Sequence, residues 1–411
     1  MLNFKSLFLP STQEDKFDRV CFNCIIFDVF FLPLFPWFSA SISLPMLFVW
    51  YLKNSHKTRF IRERSFFGVI ILLMFISTLI CPLYEGGSKY DTTFFYSVKT
   101  LFMYLTSFWY YFFFTYFFFK YNRRITDIVY YSIIWITILG VFSYIYKDYF
   151  IVFKQIVCPF DPQPQRWLSG SELVFRYNYF WADPNNVAYA VSGLSLFYLI
   201  EQPINNYKKI VVLISIVITL FFTMSLGGIA VSCALYVLVI LFTKKMSFSG
   251  NSRFVVIVIC MCLIYFIVNN FTIIQEMYDS GIATRLDSYD SYGGVKAAGG
   301  RLKDLYSGIE KFNILFLLVG CGQEGFVTEI GHIYLLYLYG LPVYIYFMYV
   351  LFFKKKINYT DYVVLIPYFV GFSINISIIE QKFLLLNMVI SAYYSAKVYR
   401  LNLFQGARIC N

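Results

Sequence analysis

The chain has 411 residues, of which 59% are hydrophobic and 14% are charged, whereas soluble domains average about 45–50% apolar and about 25% charged residues. A water-soluble globular protein is excluded, because the apolar residues come in runs long enough to cross a bilayer. The net charge of +11 does not indicate a nucleic-acid-binding protein, since the positive residues lie in short clusters between the apolar runs, as the positive-inside rule requires.

The hydropathy pattern predicts an all-α polytopic integral membrane protein, a single transmembrane domain over residues 1–411 with about twelve spans of about 20 residues each. Two segments are predicted to be hairpins of short helices: 21–52, broken at Pro33-Leu34-Phe35-Pro36, and 210–242, turning at Ser225-Leu226-Gly227-Gly228. The other predicted spans are 65–83, 95–119, 125–146, 184–200, 254–271, 331–353, 361–378 and 383–397. No small-residue cleavage site follows the first apolar run, so this run is expected to be retained.

Clusters of Lys and Arg give the expected orientation. They occur in short connections such as 53–64 and 354–356, which places these connections and both termini in the cytoplasm. Two long polar loops, 147–183 and 272–330, then lie on the periplasmic side, and long loops are exempt from the charge bias. Helix interiors contain almost no charge, with Asp28 and Lys99 as the exceptions, and this scarcity argues against an ion-coupled carrier.

The first long loop contains Arg166 and Arg176 and ends in Trp181-Ala182-Asp183-Pro184-Asn185-Asn186. Asp183 followed by Pro184 predicts a helix start, with Asp at the N-cap and Pro in the first turn. A capping role for Asp183 therefore stands beside a role in binding substrate.

The second long loop contains Arg285 and Arg301. Apolar residues spaced by three and four over 302–312 predict an amphipathic helix on the membrane interface. The apolar run 314–319 is too short to span, and a glycine-rich turn follows it at 320–325. This pattern predicts a partly re-entrant segment that lines a cavity.

His332 is the sharpest candidate for catalysis. It opens the helix that follows the glycine turn, where the positive end of the helix dipole disfavours the imidazolium and leaves a neutral base. His56, the other histidine, lies among cytoplasmic Lys and Arg. The turn residues Gly320, Gly322 and Glu324 bring backbone N–H groups that could bind an anion. The alternative for His332 is an interfacial histidine hydrogen-bonded to a neighbouring loop.

No metal site or cofactor is predicted. The sequence contains no His/Cys/Asp cluster with metal-ligand spacing, no serine nucleophile elbow and no P-loop, and Cys21-x-x-Cys24 lacks a second pair or a nearby His. A metal-free transfer reaction outside the membrane barrier is favoured. Because cytosolic nucleotides do not reach that side, the activated donor is expected to be carried by a lipid.

Four sequence elements, in this order, resemble those of the O-antigen polymerase and ligase superfamily over roughly residues 125–355. They are Phe180-Trp181-Ala182-Asp183-Pro184-Asn185-Asn186, Ser225-Leu226-Gly227-Gly228, Gly300-Arg301 followed by Gly320-Cys321-Gly322 and Phe326, and His332-Ile333-Tyr334-Leu335 with Gly340-Leu341. The family hairpin usually carries an Arg after the Ser, where this chain has Leu226. Another loop residue, such as Arg176, would then supply that guanidinium.

The resemblance implies an O-antigen polymerase in the bacterial inner membrane. It would move the growing glycan from undecaprenyl pyrophosphate onto a sugar hydroxyl of a new lipid-linked repeat unit at the periplasmic face. His332 would be the general base, and arginines would stabilise the pyrophosphate leaving group. The expected pyrophosphate- or substrate-binding residues are Arg301, Arg176, Arg166, Arg285, Gly320, Gly322, Glu324, Asp183 and Asn185.

The implied partners are undecaprenyl-pyrophosphate-linked repeat units and membrane lipids, with a chain-length regulator and a flippase as candidate protein partners. Three other functions remain open. A ligase would transfer the finished polymer to lipid A-core by the same mechanism. A flippase for the same lipid-linked units would be expected to have charged residues along a central cavity and shorter external loops. A sensor or scaffold would have no catalytic activity.

Overall fold

The computed structural model describes residues 15–35, 40–80, 94–158, 175–181, 183–202, 207–242, 314–320, 330–354, 356–374 and 380–409. These residues are almost entirely helical, with one two-stranded antiparallel hairpin. The chain forms two compact units. The terminal unit comprises Met1–Asp127 and Lys303–Asn411, and the central unit comprises Ile128–Leu302.

The terminal unit contains the helices from both ends of the chain. They are α1 (Lys16–Phe31), α2 (Leu44–Asn54), α3 (Arg62–Ile80), α4 (Phe94–Tyr121), α10 (Ile314–Val319), α11 (Gly331–Met348), α12 (Tyr359–Val363), α13 (Ile366–Ile374) and α14 (Gln381–Ile409). Strands β1 (Leu34–Phe35) and β2 (Ala40–Ser41) form the hairpin between α1 and α2, with Leu34 opposite Ser41 and Phe35 opposite Ala40. A π-helical turn, Tyr349–Phe353, extends α11.

The central unit contains α5 (Thr126–Ile145, which enters the unit at Ile128), α6 (Lys147–Val157), α7 (Pro184–Glu201), α8 (Tyr207–Thr223) and α9 (Leu226–Phe242). Met224 ends α8 with a positive φ of 48°, which reverses the chain into α9. Helix α7 is buried along nearly its whole length, so it forms the core of this unit.

Three helices in the described part of the chain are long and apolar enough to cross a bilayer: Arg62–Ile80, Thr126–Ile145 and Gly331–Phe353. They overlap the predicted spans 65–83, 125–146 and 331–353, so the prediction of long apolar helices at these positions is confirmed. The predicted segments 95–119 and 184–200 are also helical, as α4 and α7, and the predicted hairpin 210–242 is divided into the two helices α8 and α9 at Met224 and Ser225.

Other predicted segments differ from the structure or lie outside the described residues. The segment 361–378, predicted as one span, comprises α12 and α13. Pro367 lies in the first turn of α13, where the ring prevents the residues before it from continuing a single helix. The loop predicted over 147–183 begins with the helix α6. The predicted span 254–271 and the predicted amphipathic helix 302–312 lie outside the described residues.

In the described part of the terminal unit, three ion pairs, two of them with both side chains buried, join distant segments. Lys382 pairs with Asp28, Lys354 pairs with Glu63, and Lys57 pairs with Asp18. Asp28, which the sequence marks as an exception in a helix interior, therefore has a specific partner. A buried carboxylate and a buried ammonium compensate each other only when they are close and hydrogen-bonded.

Candidate functional site

The predicted site residues are divided between the two units and the rest of the chain. Arg176, Asp183 and Asn185 belong to the central unit, and Gly320 and His332 belong to the terminal unit. The remaining predicted residues, Arg166, Arg285, Arg301, Gly322 and Glu324, lie outside the described residues.

In the central unit, α7 begins as the sequence predicts. Asp183 is the N-cap, its Oδ1 accepts a hydrogen bond from the backbone N of Asn185 at 2.7 Å, and Pro184 occupies the first turn. The capping role of Asp183 is thus confirmed. Because this carboxylate already accepts from the first turn of α7, an anion at the same helix end would meet its negative charge.

The side chain of Asn185 joins two elements that are distant in sequence. Its Oδ1 accepts hydrogen bonds from Ser225 Oγ at 2.7 Å and from Arg176 Nη2 at 3.4 Å. Ser225 Oγ in turn accepts from Gly228 N at 3.1 Å, at the start of α9. The asparagine of the first family-like element and the serine of the second are therefore in direct contact.

Arg176 is held by the end of helix α8. Its Nε donates to the carbonyl oxygen of Thr223 at 3.1 Å, and its side chain is largely buried. The last carbonyls of a helix have no partner within the helix and carry its negative dipole end, so they attract a guanidinium. The neighbouring backbone is fixed too, because Tyr177 N donates to the carbonyl of Phe222 at 3.0 Å.

Close helix packing explains one glycine of this cluster. A Cβ added to Gly228 would lie 2.5 Å from the Cβ of Ala188 on α7, so any larger residue would push the two helices apart. The close contact keeps Ser225 and Asn185 within hydrogen-bonding distance. A guanidinium, an amide and a hydroxyl gathered in this way are groups that bind phosphate oxygens and sugar hydroxyls.

In the terminal unit, His332 is held on both ring nitrogens. Nε2 lies 3.2 Å from the carbonyl oxygen of Phe369, and Nδ1 lies 3.4 Å from the hydroxyl of Tyr344. A carbonyl can only accept, so Nε2 carries the hydrogen and Nδ1 is the basic nitrogen. The ring also packs against that of Phe369, with centroids 4.6 Å apart. Both partners lie in helices, Phe369 in α13 and Tyr344 in α11, and not in a neighbouring loop as the alternative interpretation supposed. The hydrogen bond to Phe369 favours the tautomer that a base at Nδ1 needs.

A bend in α11 brings Tyr344 to His332. Gly340 has φ 79° and ψ 173°, which are not helical values, and Pro342 follows it. Twelve residues of straight helix would separate the two side chains by about 18 Å, yet Tyr344 Oη is in contact with the imidazole. Tyr344 is the member of this site that sequence reasoning missed, although the Gly-x-Pro pattern signals a kink.

Gly320 packs into this bend. Its φ is 81°, and an added Cβ would lie 2.5 Å from the carbonyl oxygen of Leu338. Conversely, a Cβ on Gly340 would lie 2.6 Å from the carbonyl oxygen of Leu318. The two glycines let two stretches of backbone touch, and this packing accounts for Gly320 without an anion.

Neither a metal site nor a similarity to known proteins assigns a function to these residues. Within the described ranges, no group of three His, Cys, Asp or Glu side chains is placed to hold a metal ion. No protein-family model, curated protein or solved structure matches the chain.

Proposed function

We propose that the chain is a membrane glycosyltransferase that polymerises undecaprenyl-pyrophosphate-linked repeat units into a surface polysaccharide such as O-antigen. A hydroxyl oxygen of the acceptor sugar attacks the anomeric carbon of the donor glycan. The bond from that carbon to the pyrophosphate oxygen breaks, and the hydroxyl proton passes to a base. The pyrophosphate leaves with the electron pair and remains attached to its polyprenyl chain.

One observation carries the proposal: Asn185 Oδ1 accepts from both Ser225 Oγ and Arg176 Nη2. The resemblance rests on the order of separate short motifs, and here two of them are in contact. Arg176 also lies beside the hairpin at which the family usually has an arginine. We assign it a role in holding pyrophosphate, as guanidinium groups bind such oxygens in a bidentate manner.

The second part of the proposal assigns the base. His332 has Nδ1 as its basic nitrogen, because Nε2 keeps its hydrogen and donates it in a hydrogen bond to the carbonyl oxygen of Phe369. Tyr344 Oη beside Nδ1 is positioned to hold a hydroxyl or to be replaced by one. A neutral imidazole oriented by a hydrogen bond on its other nitrogen is the usual form of a histidine base.

The proposal includes a topology of about twelve spans, with both termini cytoplasmic and the two long loops periplasmic in the bacterial inner membrane. Three helices of spanning length and composition support it, as do the short basic connections in the sequence. Labelling of introduced cysteines with an impermeant reagent in intact cells tests the topology independently of activity.

The activity test uses purified protein in vesicles with a lipid-linked repeat unit, and the products are separated by length on a gel. A ladder of products is expected. Transfer to lipid A-core without a ladder would instead identify a ligase, and movement of the lipid across the vesicle without transfer would identify a flippase.

Variants connect the activity to named residues. His332→Ala is expected to lower the rate of ladder formation by about 10²–10⁴-fold, the usual contribution of general acid–base catalysis. The control is His56→Ala, which removes an exposed histidine and should leave the rate unchanged.

Arg176→Lys tests the bidentate role and should raise the donor concentration needed for half-maximal rate. The matched control is Arg123→Lys, at a buried arginine that packs over the ring of Phe22 in the terminal unit. Full activity of both His332→Ala and Arg176→Lys would reject these assignments.

A further inference from the structure

Helix α6 has one face that packs against the central unit. Phe150, Ile151 and Lys154 are its buried residues. Lys154 Nζ donates to the carbonyl oxygen of Trp181 at 3.1 Å and to Asn178 Oδ1, and the Phe150 ring lies 6.0 Å from that of Tyr177. This face fastens α6 to residues 175–181, the segment that contains Arg176.

The opposite face of α6 is apolar and exposed. Tyr149 is 74% exposed, Val152 54%, Phe153 43% and Ile156 72%. Their spacing of three and four places them on one side of the helix. Asp148 and Gln155 lie on the flank between the two faces, so α6 has a protein-facing side, a polar side and an apolar side.

The exposed apolar face continues onto a helix of spanning length. Helix α5, a candidate span, exposes Ile138, Phe142 and Ile145 in the turns before α6. Ring contacts connect the two helices: Phe142 lies 5.2 Å from Tyr146, and Tyr146 lies 6.5 Å from Tyr149. Aromatic residues of this kind concentrate where a membrane meets water.

We propose that α6 lies in the boundary between headgroups and acyl chains of the leaflet in which α5 ends, with Tyr149, Val152, Phe153 and Ile156 in contact with lipid. Its partner is the bilayer surface, and the continuity with α5 identifies that partner. With eleven residues, α6 is about 16 Å long, too short to cross a hydrocarbon core of about 30 Å. A short amphipathic helix with large apolar residues on one face is suited to the interface.

The experiment uses the full chain in vesicles of phosphatidylethanolamine and phosphatidylglycerol. An environment-sensitive fluorescent amino acid is introduced by nonsense suppression at position 152 or 156 on the apolar face, and at position 148 or 155 on the polar flank as the matched control. Brominated acyl chains serve as the quencher in lipid, and iodide serves as the quencher in water. Each labelled protein is first required to unfold at the temperature of the unlabelled chain, and position 149 replaces position 152 or 156 if either fails.

Positions 152 and 156 are expected to show a blue-shifted emission that is quenched by brominated lipid and protected from iodide. Positions 148 and 155 should show the reverse. Quenching of 152 and 156 by iodide as strong as that of 148 would mean that the apolar face meets water. Protection from both quenchers would mean that protein covers it, for example a second copy of the chain. Either result would overturn the proposal, and neither depends on the transferase activity.

Discussion

Lys382 Nζ lies 2.8 Å from Asp28 Oδ1 in the terminal unit, and both side chains are almost completely buried. Lys382 also donates to the backbone oxygen of Asp28 at 2.7 Å, and Asp28 Oδ2 accepts from Ser43 N at 2.7 Å and from Ser41 Oγ. The pair therefore fastens the end of α1, strand β2 and the start of α14 to one another.

Removing one member of this pair should destabilise the terminal unit strongly. Lys382→Met leaves a buried carboxylate without its cation, a change that typically costs about 3–5 kcal/mol. The double variant Asp28→Asn with Lys382→Met removes both charges and should recover most of that loss. Unfolding in detergent, followed by tryptophan fluorescence, measures both effects. A double variant as unstable as the single one would show that charge is not the cause.

Lys57→Met provides the matched comparison for the Lys382 experiment. Lys57 pairs with Asp18 at 2.8 Å, but its side chain remains 24% exposed. Asp18 also keeps hydrogen bonds from Trp50 Nε1 and Tyr121 Oη. The loss of stability should therefore be clearly smaller than for Lys382→Met.

The glycines at the bend of α11 should not tolerate a side chain. Alanine at position 340 would have to adopt φ 79° and ψ 173°, a backbone conformation essentially restricted to glycine, at a cost of about 1–3 kcal/mol. Its Cβ would also overlap the carbonyl of Leu318, which adds about 1–3 kcal/mol. The same holds for Gly320→Ala. Gly68→Ala is the control, since a Cβ there has open space on helix α3 and should stabilise by about 0.5–1 kcal/mol. The measurement is the thermal unfolding temperature of the three variants. Equal unfolding temperatures for Gly340→Ala, Gly320→Ala and Gly68→Ala would contradict this account.

Stability should depend on pH through Lys356, which lies beyond the end of the span Gly331–Phe353. Burial, and next the like charge of Lys354, lower the pKa of the Lys356 amine to about 7, while Asp361 and Glu63 act in the opposite direction. An exposed lysine in the unfolded chain titrates near about 10.4. Between these values the unfolded chain binds the extra proton, so the free energy of unfolding should rise with pH, by at most about 1.4 kcal/mol per unit.

The measurement is the free energy of unfolding from pH 6 to pH 10 for the wild type and Lys356→Met. The wild type should gain stability relative to the variant above about pH 7, and the difference should be constant below it, where both states are protonated. Lys120→Met, at an exposed lysine, should keep the slope of the wild type. If the free energy of unfolding of Lys356→Met rose with pH as steeply as that of the wild type, the pH dependence would belong to another group.

The contact between Ser225 and Asn185 should appear as a coupling energy. Ser225→Ala and Asn185→Ala each remove one partner of a 2.7 Å hydrogen bond, and the double variant should be more stable than the sum of the single effects predicts by about 0.5–1.5 kcal/mol. Ser143 Oγ bonds to Gly140 O within its own helix, so Ser143→Ala combined with Asn185→Ala should be additive. Additivity in both cycles would contradict the hydrogen bond.

The helices were largely predictable because their signals are local. Long apolar runs, the proline at 33 and the Asp183-Pro184 cap each act within a few residues, and the structure places helix ends at or near them. The short strands β1 and β2 carry no such signal, since two paired residues per strand are too few to produce an alternating pattern.

The tertiary contacts of the fold and of the candidate site were harder to predict because many of their partners are distant in sequence. Lys382 and Asp28 are 354 positions apart, and only the packing of α1 against α14 brings them together. Tyr344 likewise depends on the bend at Gly340. The loop sequence predicts Arg176 as a candidate, but its hydrogen bond to the end of α8 follows from the path of residues 175–177.

The bend in α11 also changes the position of the imidazole relative to the two ends of the helix. As one straight crossing, residues 331–353 would place His332 at one membrane surface and Phe353 at the other. Contact with Tyr344 instead sets His332 about nine residues of helix from Phe353, or about 14 Å along the helix, so the part of α11 after the bend is shorter than a hydrocarbon core of about 30 Å. Under the proposed function, the acceptor hydroxyl would therefore have to reach a base that lies well inside the helix rather than at its end.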